Sequence, residues 1–227
     1  RGGKSAPDAD VVVSLTSFSD RIEHAWIAIE TIFRQDLTPR RVVLVLAEEE
    51  FPGRILPARI REQQSRGLDV IWVERNTRSY KKLLPTRRAY PDSTIITVDD
   101  DVLYEPWRIR ELLEASADYP GAIIGHRGWE MCFDGDNVLP YDKWKPACPV
   151  TARHRTLLTG CGGILYPPEV LQSEYLHDID LAEKLCPLAD DIWFWIVAQL
   201  CGDPVVCLGK HQIRRVHRLL FSPDLFS

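Results

Sequence analysis

Thr94-Ile95-Ile96-Thr97-Val98 runs straight into Asp99-Asp100-Asp101. The first five residues read as a buried strand, so three adjacent carboxylates stand at its carboxyl end. Such a triplet repels itself unless a cation neutralises it. Oxygen-only ligands suit Mg²⁺ or Mn²⁺, ions that bridge one or two carboxylates to substrate phosphates. The plainer alternative is a solvated acidic turn. The position at the end of a central strand favours the metal.

A second acidic pair, Asp190-Asp191, precedes the apolar run Ile192-Trp193-Phe194-Trp195. Aspartate is a preferred helix cap, and capping uses one of the pair. The other, taken as Asp191, is then left to act as a general base. Upstream of the acidic strand lies Arg78-Ser79-Tyr80-Lys81-Lys82. An arginine and two lysines near a helix N-terminus can hold a diphosphate, although a solvated charged face has the same composition. Thr159-Gly160-Cys161-Gly162-Gly163 lets backbone come close to a ligand, or simply turns the chain. Lys210 to Arg218 is a basic stretch, read as a solvated tail or as a contact with phosphate or a membrane surface. Either His211 or His217 in it can add a metal ligand. Trp129, Tyr141 and Trp144 either stack on a sugar ring or pack a satellite core.

Regular elements must position these groups. Val11 to Leu15 is continuously apolar, as a strand buried on both faces should be. Ser19 is placed to cap a helix whose apolar stripe is Ile22, Ala25, Trp26, Ile29, Ile32 and Phe33. Val42 to Leu46 is a second buried strand, Ile55 to Arg66 a helix and Leu68 to Val73 a third strand. Ser79 to Tyr90 reads as a helix that Pro85 must kink or shorten. Thr94 to Val98 is the fourth strand, followed by a helix with Pro106 in its first turn. This alternation predicts an α/β fold with a mainly parallel sheet and helices on both faces. The second half is less regular: strands at Ala122 to His126, Gly162 to Tyr166 and Val205 to Leu208, a helix at Ile192 to Leu200, and a turn-rich stretch from Arg127 to Arg155. A regular nucleotide-type half, residues 1–125, followed by an irregular half, residues 126–227, suits an enzyme with two substrates. Residues 1–9 read as a disordered or linker remnant and 10–227 as one domain.

Composition narrows the classes. With 227 residues, 45% hydrophobic and 27% charged, the chain can bury a real core. A net charge of −5 argues against nucleic acid as the main partner. No apolar run is long enough for a membrane helix. The chain begins at Arg1 and its one methionine is Met131, which suggests a piece of a larger protein. Six cysteines are scattered without a Cys-x-x-Cys pair. Buried free thiols in a reducing compartment are expected, hence a cytoplasmic location, with the inner face of the membrane as a variant.

Together these motifs resemble the GT-A glycosyltransferases, particularly the bacterial family-2-like group. The residues that carry the likeness are Val13-Ser14-Leu15-Thr16-Ser17-Phe18, Arg78 to Leu83, Ile96 to Asp101, Leu158 to Gly163 and Ala189-Asp190-Asp191-Ile192-Trp193. The resemblance implies a GT-A type nucleotide-diphospho-sugar transferase fold and a UDP- or GDP-sugar donor, with Mn²⁺ or Mg²⁺ and a glycan or other hydroxyl acceptor. It implies that Thr16, Ser17, Phe18 and Arg21 lie against the nucleotide, joined by Arg78, Tyr80, Lys81, Lys82, Asp99 and Asp100. Asp99 and Asp101 would face the metal, with His217 as the further ligand that the residue reading allows, and Asp191 would deprotonate the acceptor in an inverting displacement. The chain departs from the pattern after the second strand. An Asp-Asp pair is common there, and Ala47-Glu48-Glu49-Glu50 stands in its place.

Two other readings compete. Val98-Asp99-Asp100-Asp101-Val102 also fits the Asp-x-Asp-x-Val signature of haloacid-dehalogenase-like phosphatases, with Asp99 as nucleophile and Asp190-Asp191 as a distal magnesium pair. A glycan-binding domain that kept the fold and lost activity is the third possibility.

Overall fold

A strand that is apolar on both faces must lie inside a layered structure, and the first strand does. β1 (Val11–Thr16) is buried from Val11 to Leu15. It pairs in parallel with β2 (Arg41–Ala47) on one side and with β4 (Thr94–Thr97) on the other. β3 (Leu68–Val73) adds in parallel to β2, giving the order β4-β1-β2-β3. The connections carry α1 (Ile22–Phe33), α2 (Ala58–Ser65) and α3 (Leu84–Ala89). Val12, Val43 and Val45 form a core cluster against which Ile71, Val73 and Tyr90 pack. The computed structural model describes residues 10–147 and 155–209, with 214–215 as backbone.

The chain divides into two compact units. The first holds residues 10–110 and a two-stranded ladder in which β5 (Val102–Leu103) pairs with the last strand, Arg214–Arg215. The second holds residues 111–209. In it β6 (Ile123–Gly125) pairs antiparallel with Ile164–Tyr166 and parallel with Val205–Cys207. β7 (Gly128–Glu130) is the middle strand of an antiparallel trio with Lys145–Pro146 and Thr156–Leu158. The sheets are thus mostly parallel where the first half builds them and mixed in the turn-rich half. α4 (Arg108–Asp118), α5 (Ile179–Leu185) and α6 (Asp190–Cys201) complete the helices.

Several boundaries differ from the sequence reading, each for a local reason. Ser19 does not cap α1: its hydroxyl donates to Asp20, and the helix starts after Arg21 with no side-chain cap. α2 begins at Ala58 rather than Ile55, because Pro57, with ψ 150, stands before it as an extended residue. Pro85 splits the expected helix into a 3₁₀ turn, Arg78–Lys82, and the short α3, where proline fits the first turn. Pro106 stands two residues ahead of α4 rather than inside it. Cys132, Cys161, Cys186, Cys201 and Cys207 are all free thiols, and among the described residues no helix is long and apolar enough to cross a membrane.

Candidate functional site

Strand order fixes where a ligand cleft opens. From β1 the chain builds outward through β2 and β3, then returns to place β4 on the other side of β1. In open α/β sheets the carboxyl ends of strands on either side of such a reversal form the binding crevice. Here those two ends are Thr16-Ser17-Phe18 and Asp99-Asp100-Asp101.

The three carboxylates are held by named partners. Asp100 is buried, and its Oδ2 accepts from Ser17 Oγ at 2.5 Å. Arg21 bridges its neighbours, with Nη1 3.2 Å from Asp100 Oδ1 and Nη2 2.5 Å from Asp101 Oδ2. Asp99 Oδ1 accepts from Lys82 Nζ at 3.1 Å, and its backbone N–H donates to the Tyr104 hydroxyl at 2.8 Å. Burial pushes the Asp100 carboxyl up to about 6 despite the opposing pull of Arg21 and Ser17. Among the described residues no group of three carboxylate, histidine or cysteine side chains is placed to hold a metal ion. Asp99 and Asp101 have oxygen donors that could hold a hard divalent cation, although here each is paired, with Lys82 and with Arg21. His217 and His211 lie outside the described residues.

The other predicted nucleotide-side residues divide. Thr16 turns its hydroxyl onto Val45 O at 2.8 Å, and Phe18 lies under the Arg21 guanidinium, 5.7 Å from ring centroid to Cζ. Arg78 is exposed, with φ 51, and Tyr80 is buried. Neither Lys81 nor Lys82 faces solvent, contrary to the charged-face alternative. Both are buried, because the segment is a tight 3₁₀ turn. Lys81 Nζ meets Glu50 Oε2 at 2.8 Å, so the glutamate run after β2 is tied to the lysine turn. Arg54 binds Glu48, and Asn76 N–H donates to Glu49 at 2.9 Å.

Glu50 was not singled out in the sequence, where three consecutive glutamates look alike. Only the fold brings the third beside a lysine 31 residues on. Replacing Glu50 by alanine strands the charge of a lysine side chain that is only 2% exposed. Stability should fall by about 3 kcal/mol in urea denaturation, and Lys81→Met added to Glu50→Ala should restore most of it. A loss below about 0.5 kcal/mol, the level of an ordinary surface change, would mean that the pair contributes nothing.

The second unit holds the other acidic motif. Asp190 and Asp191 both lie inside the first turn of α6, whose N-cap is Ala189 with no side-chain cap. Neither aspartate caps the helix, so the expected division between a cap and a base does not hold. Asp190 is buried. Asp191 Oδ2 accepts the Gly160 N–H at 3.0 Å, which fixes the carboxylate against the glycine loop. It also borders a cavity of ≈ 20 Å³ shared with Tyr166, Phe194 and Trp195, room for about one water. Glycine is required in that loop: Gly163 has φ 86, and a Cβ on Gly162 would lie 3.0 Å from the Arg127 backbone N. His126 braces the loop from behind, with Nδ1 3.0 Å from Gly162 O and Nε2 3.2 Å from Glu111 Oε2.

Trp129, Tyr141 and Trp144 do gather. Tyr141 meets Trp129 edge-on at 5.8 Å and Trp144 at 5.1 Å. Burial pushes the Tyr141 phenol up; the Arg127 guanidinium opposes this, and Cys161 and Asp191 add to it.

No protein-family model matches the chain, and no curated protein sequence does. Solved structures do match. CMP:2-keto-3-deoxy-manno-octonic acid synthetase complexed with CTP superposes with TM-score 0.52 at 11% identity, over 90% of this chain and 91% of that one. 4-Diphosphocytidyl-2C-methyl-D-erythritol synthase gives 0.51 at 11%, over 89% and 90%. S. aureus TarS 1-349 gives 0.53 at 15%, over 89% of this chain and 59% of that one. The fold is of the nucleotide-diphospho-sugar transferase type.

At such identities the likeness establishes the fold and leaves the reaction to the residues. Asp99 follows the fourth strand of the sheet and is bonded to Lys82, and Asp190-Asp191 begins a helix. Neither placement suits the phosphatase alternative.

Proposed function

We propose that the chain transfers a sugar from a nucleoside-diphosphate donor to a hydroxyl acceptor, with inversion. The observation that carries this reading is the acidic cluster at the strand-order reversal, where Asp100 is buried and held by Ser17 and Arg21.

The nucleotide side belongs to the first unit. Ser17, Phe18 and Arg21 at the end of β1 and Asp99-Asp100-Asp101 at the end of β4 would receive the nucleoside and its diphosphate. Lys82 would hold Asp99, and Arg78, exposed on the same turn, would offer a positive charge to phosphate. A divalent ion bound by Asp99 and Asp101 would supply Lewis-acid stabilisation of the leaving diphosphate, typically worth several kcal/mol. In the second unit, Gly160 holds one oxygen of Asp191. The carboxylate takes the proton of the acceptor hydroxyl as that oxygen bonds to the anomeric carbon. The bond from that carbon to the phosphate oxygen breaks, and the nucleoside diphosphate leaves with the electron pair. Deprotonation of this kind contributes roughly 10²–10⁴-fold. Orientation by Gly160 matters because a base acts only within hydrogen-bond reach of its proton.

The nucleotide half is tested by thermal unfolding with UDP or GDP in the presence and absence of Mn²⁺. A nucleotide at 100 times its dissociation constant adds about 2.7 kcal/mol of stability. Stabilisation that requires both components supports the reading. Indifference to UDP and GDP at millimolar levels with Mn²⁺ contradicts it.

A further inference from the structure

Arg127 carries a charge that the described part of the chain does not balance. Its backbone is fixed against the glycine loop, where its carbonyl accepts from Thr159 N at 3.0 Å. Its guanidinium lies over Trp129, 5.2 Å from ring centroid to Cζ. Nη1 donates to Thr159 Oγ1 at 2.9 Å and approaches Cys161 Sγ at 3.5 Å. A guanidinium presents five N–H donors in a planar fork. Among the described residues neither Nε nor Nη2 has an acceptor, and no carboxylate pairs with the group.

The surroundings indicate what would complete it. Tyr141, half exposed, stands beside Trp129 and Trp144. The charges of both Arg127 and Asp191 act on its phenol, so the guanidinium and the Asp191 carboxylate address one locality within the second unit. Thr159, which Arg127 grips, is the residue before Gly160, whose N–H holds Asp191. A planar fork with two free nitrogens matches a carboxylate or phosphate through paired hydrogen bonds, whereas a neutral hydroxyl engages only one of them.

We propose that the acceptor bears an acidic group, a carboxylate or a phosphate, which the free edge of Arg127 binds while the sugar ring rests against Tyr141 and Trp144. This inference rests on reading the second unit as the acceptor half. Tethering of the glycine loop alone would need only Nη1. Charge-assisted pairing to a ligand anion makes acid-bearing acceptors bind about tenfold or more above neutral ones.

The test is retention of the whole chain on immobilised oligosaccharides in matched sets: a glucuronate-containing hexasaccharide, a mannose 6-phosphate pentasaccharide, and neutral chitohexaose and mannopentaose. The carboxylate and phosphate arms separate the two sources of acid. The wild-type chain should hold at least one acidic member tenfold better than its neutral counterparts. Arg127→Gln should erase that preference with an unchanged melting temperature, and Arg127→Lys should keep part of it. Equal retention of acidic and neutral sugars, no retention of any, or a preference that survives Arg127→Gln overturns the proposal. Nucleoside diphosphate release from nucleotide sugars, measured on the same preparation, separates the two levels. Release without an acid preference removes only the acceptor class, and no release removes glycosyl transfer itself.

Discussion

Asp191→Asn should lower sugar transfer by roughly 10²–10⁴-fold while nucleotide affinity stays at its wild-type value. Asparagine keeps a side-chain oxygen for the Gly160 N–H, which donates to Asp191 Oδ2 at 3.0 Å in the native chain. The loop and the first turn of α6 should therefore hold their places, and only the proton acceptor is lost. Two measurements on one variant decide the matter: turnover with acceptor, and calorimetric affinity for the nucleoside diphosphate. Near-native turnover would place the base elsewhere. A parallel fall in affinity and turnover would make Asp191 a structural residue of the loop.

Asp101→Ala should abolish the metal-dependent part of nucleotide binding and leave the fold intact. The carboxylate stands past the end of β4, where it is buried against Arg21. Arg21 keeps Asp100 as a partner at 3.2 Å, so truncation does not strand a buried charge. Calorimetry of UDP and GDP with and without Mn²⁺ should show a large gain from the metal in the native chain and none in the variant. Far-ultraviolet circular dichroism should keep its native shape, which separates lost metal binding from lost folding. An unchanged gain from the metal would remove Asp101 from its site.

Both predictions rest on motifs visible in the sequence, and the reason is physical. β2, Arg41–Ala47, encloses the expected Val42 to Leu46 and is buried from Val42 onward, because an apolar run bounded by polar residues allows little freedom to a buried parallel strand. The acidic triplet was legible because it follows such a strand directly. Local helix chemistry was less legible. Ser19 and the pair Asp190-Asp191 all have cap-forming side chains, yet Ser19 bonds to Asp20 and both aspartates lie within α6. Capping depends on where the helix starts, and tertiary contacts such as that between Asp191 and Gly160 help to set that point. The lysine pair shows the same limit. Two lysines in a row suggest a diphosphate site or a solvated face, but the 3₁₀ turn buries both and gives each its own carboxylate, Glu50 and Asp99. Arg127 carried no sequence signal at all: its significance comes from what the fold leaves off its guanidinium.

The central claim is that the donor is a nucleotide sugar and the leaving group a nucleoside diphosphate. The direct measurement is product release across a panel of UDP- and GDP-sugars with Mn²⁺, run beside CTP with a free sugar acid. The account predicts UDP or GDP released from at least one nucleotide sugar, lost in Asp101→Ala. Pyrophosphate released from CTP, with every nucleotide sugar left intact, would contradict it.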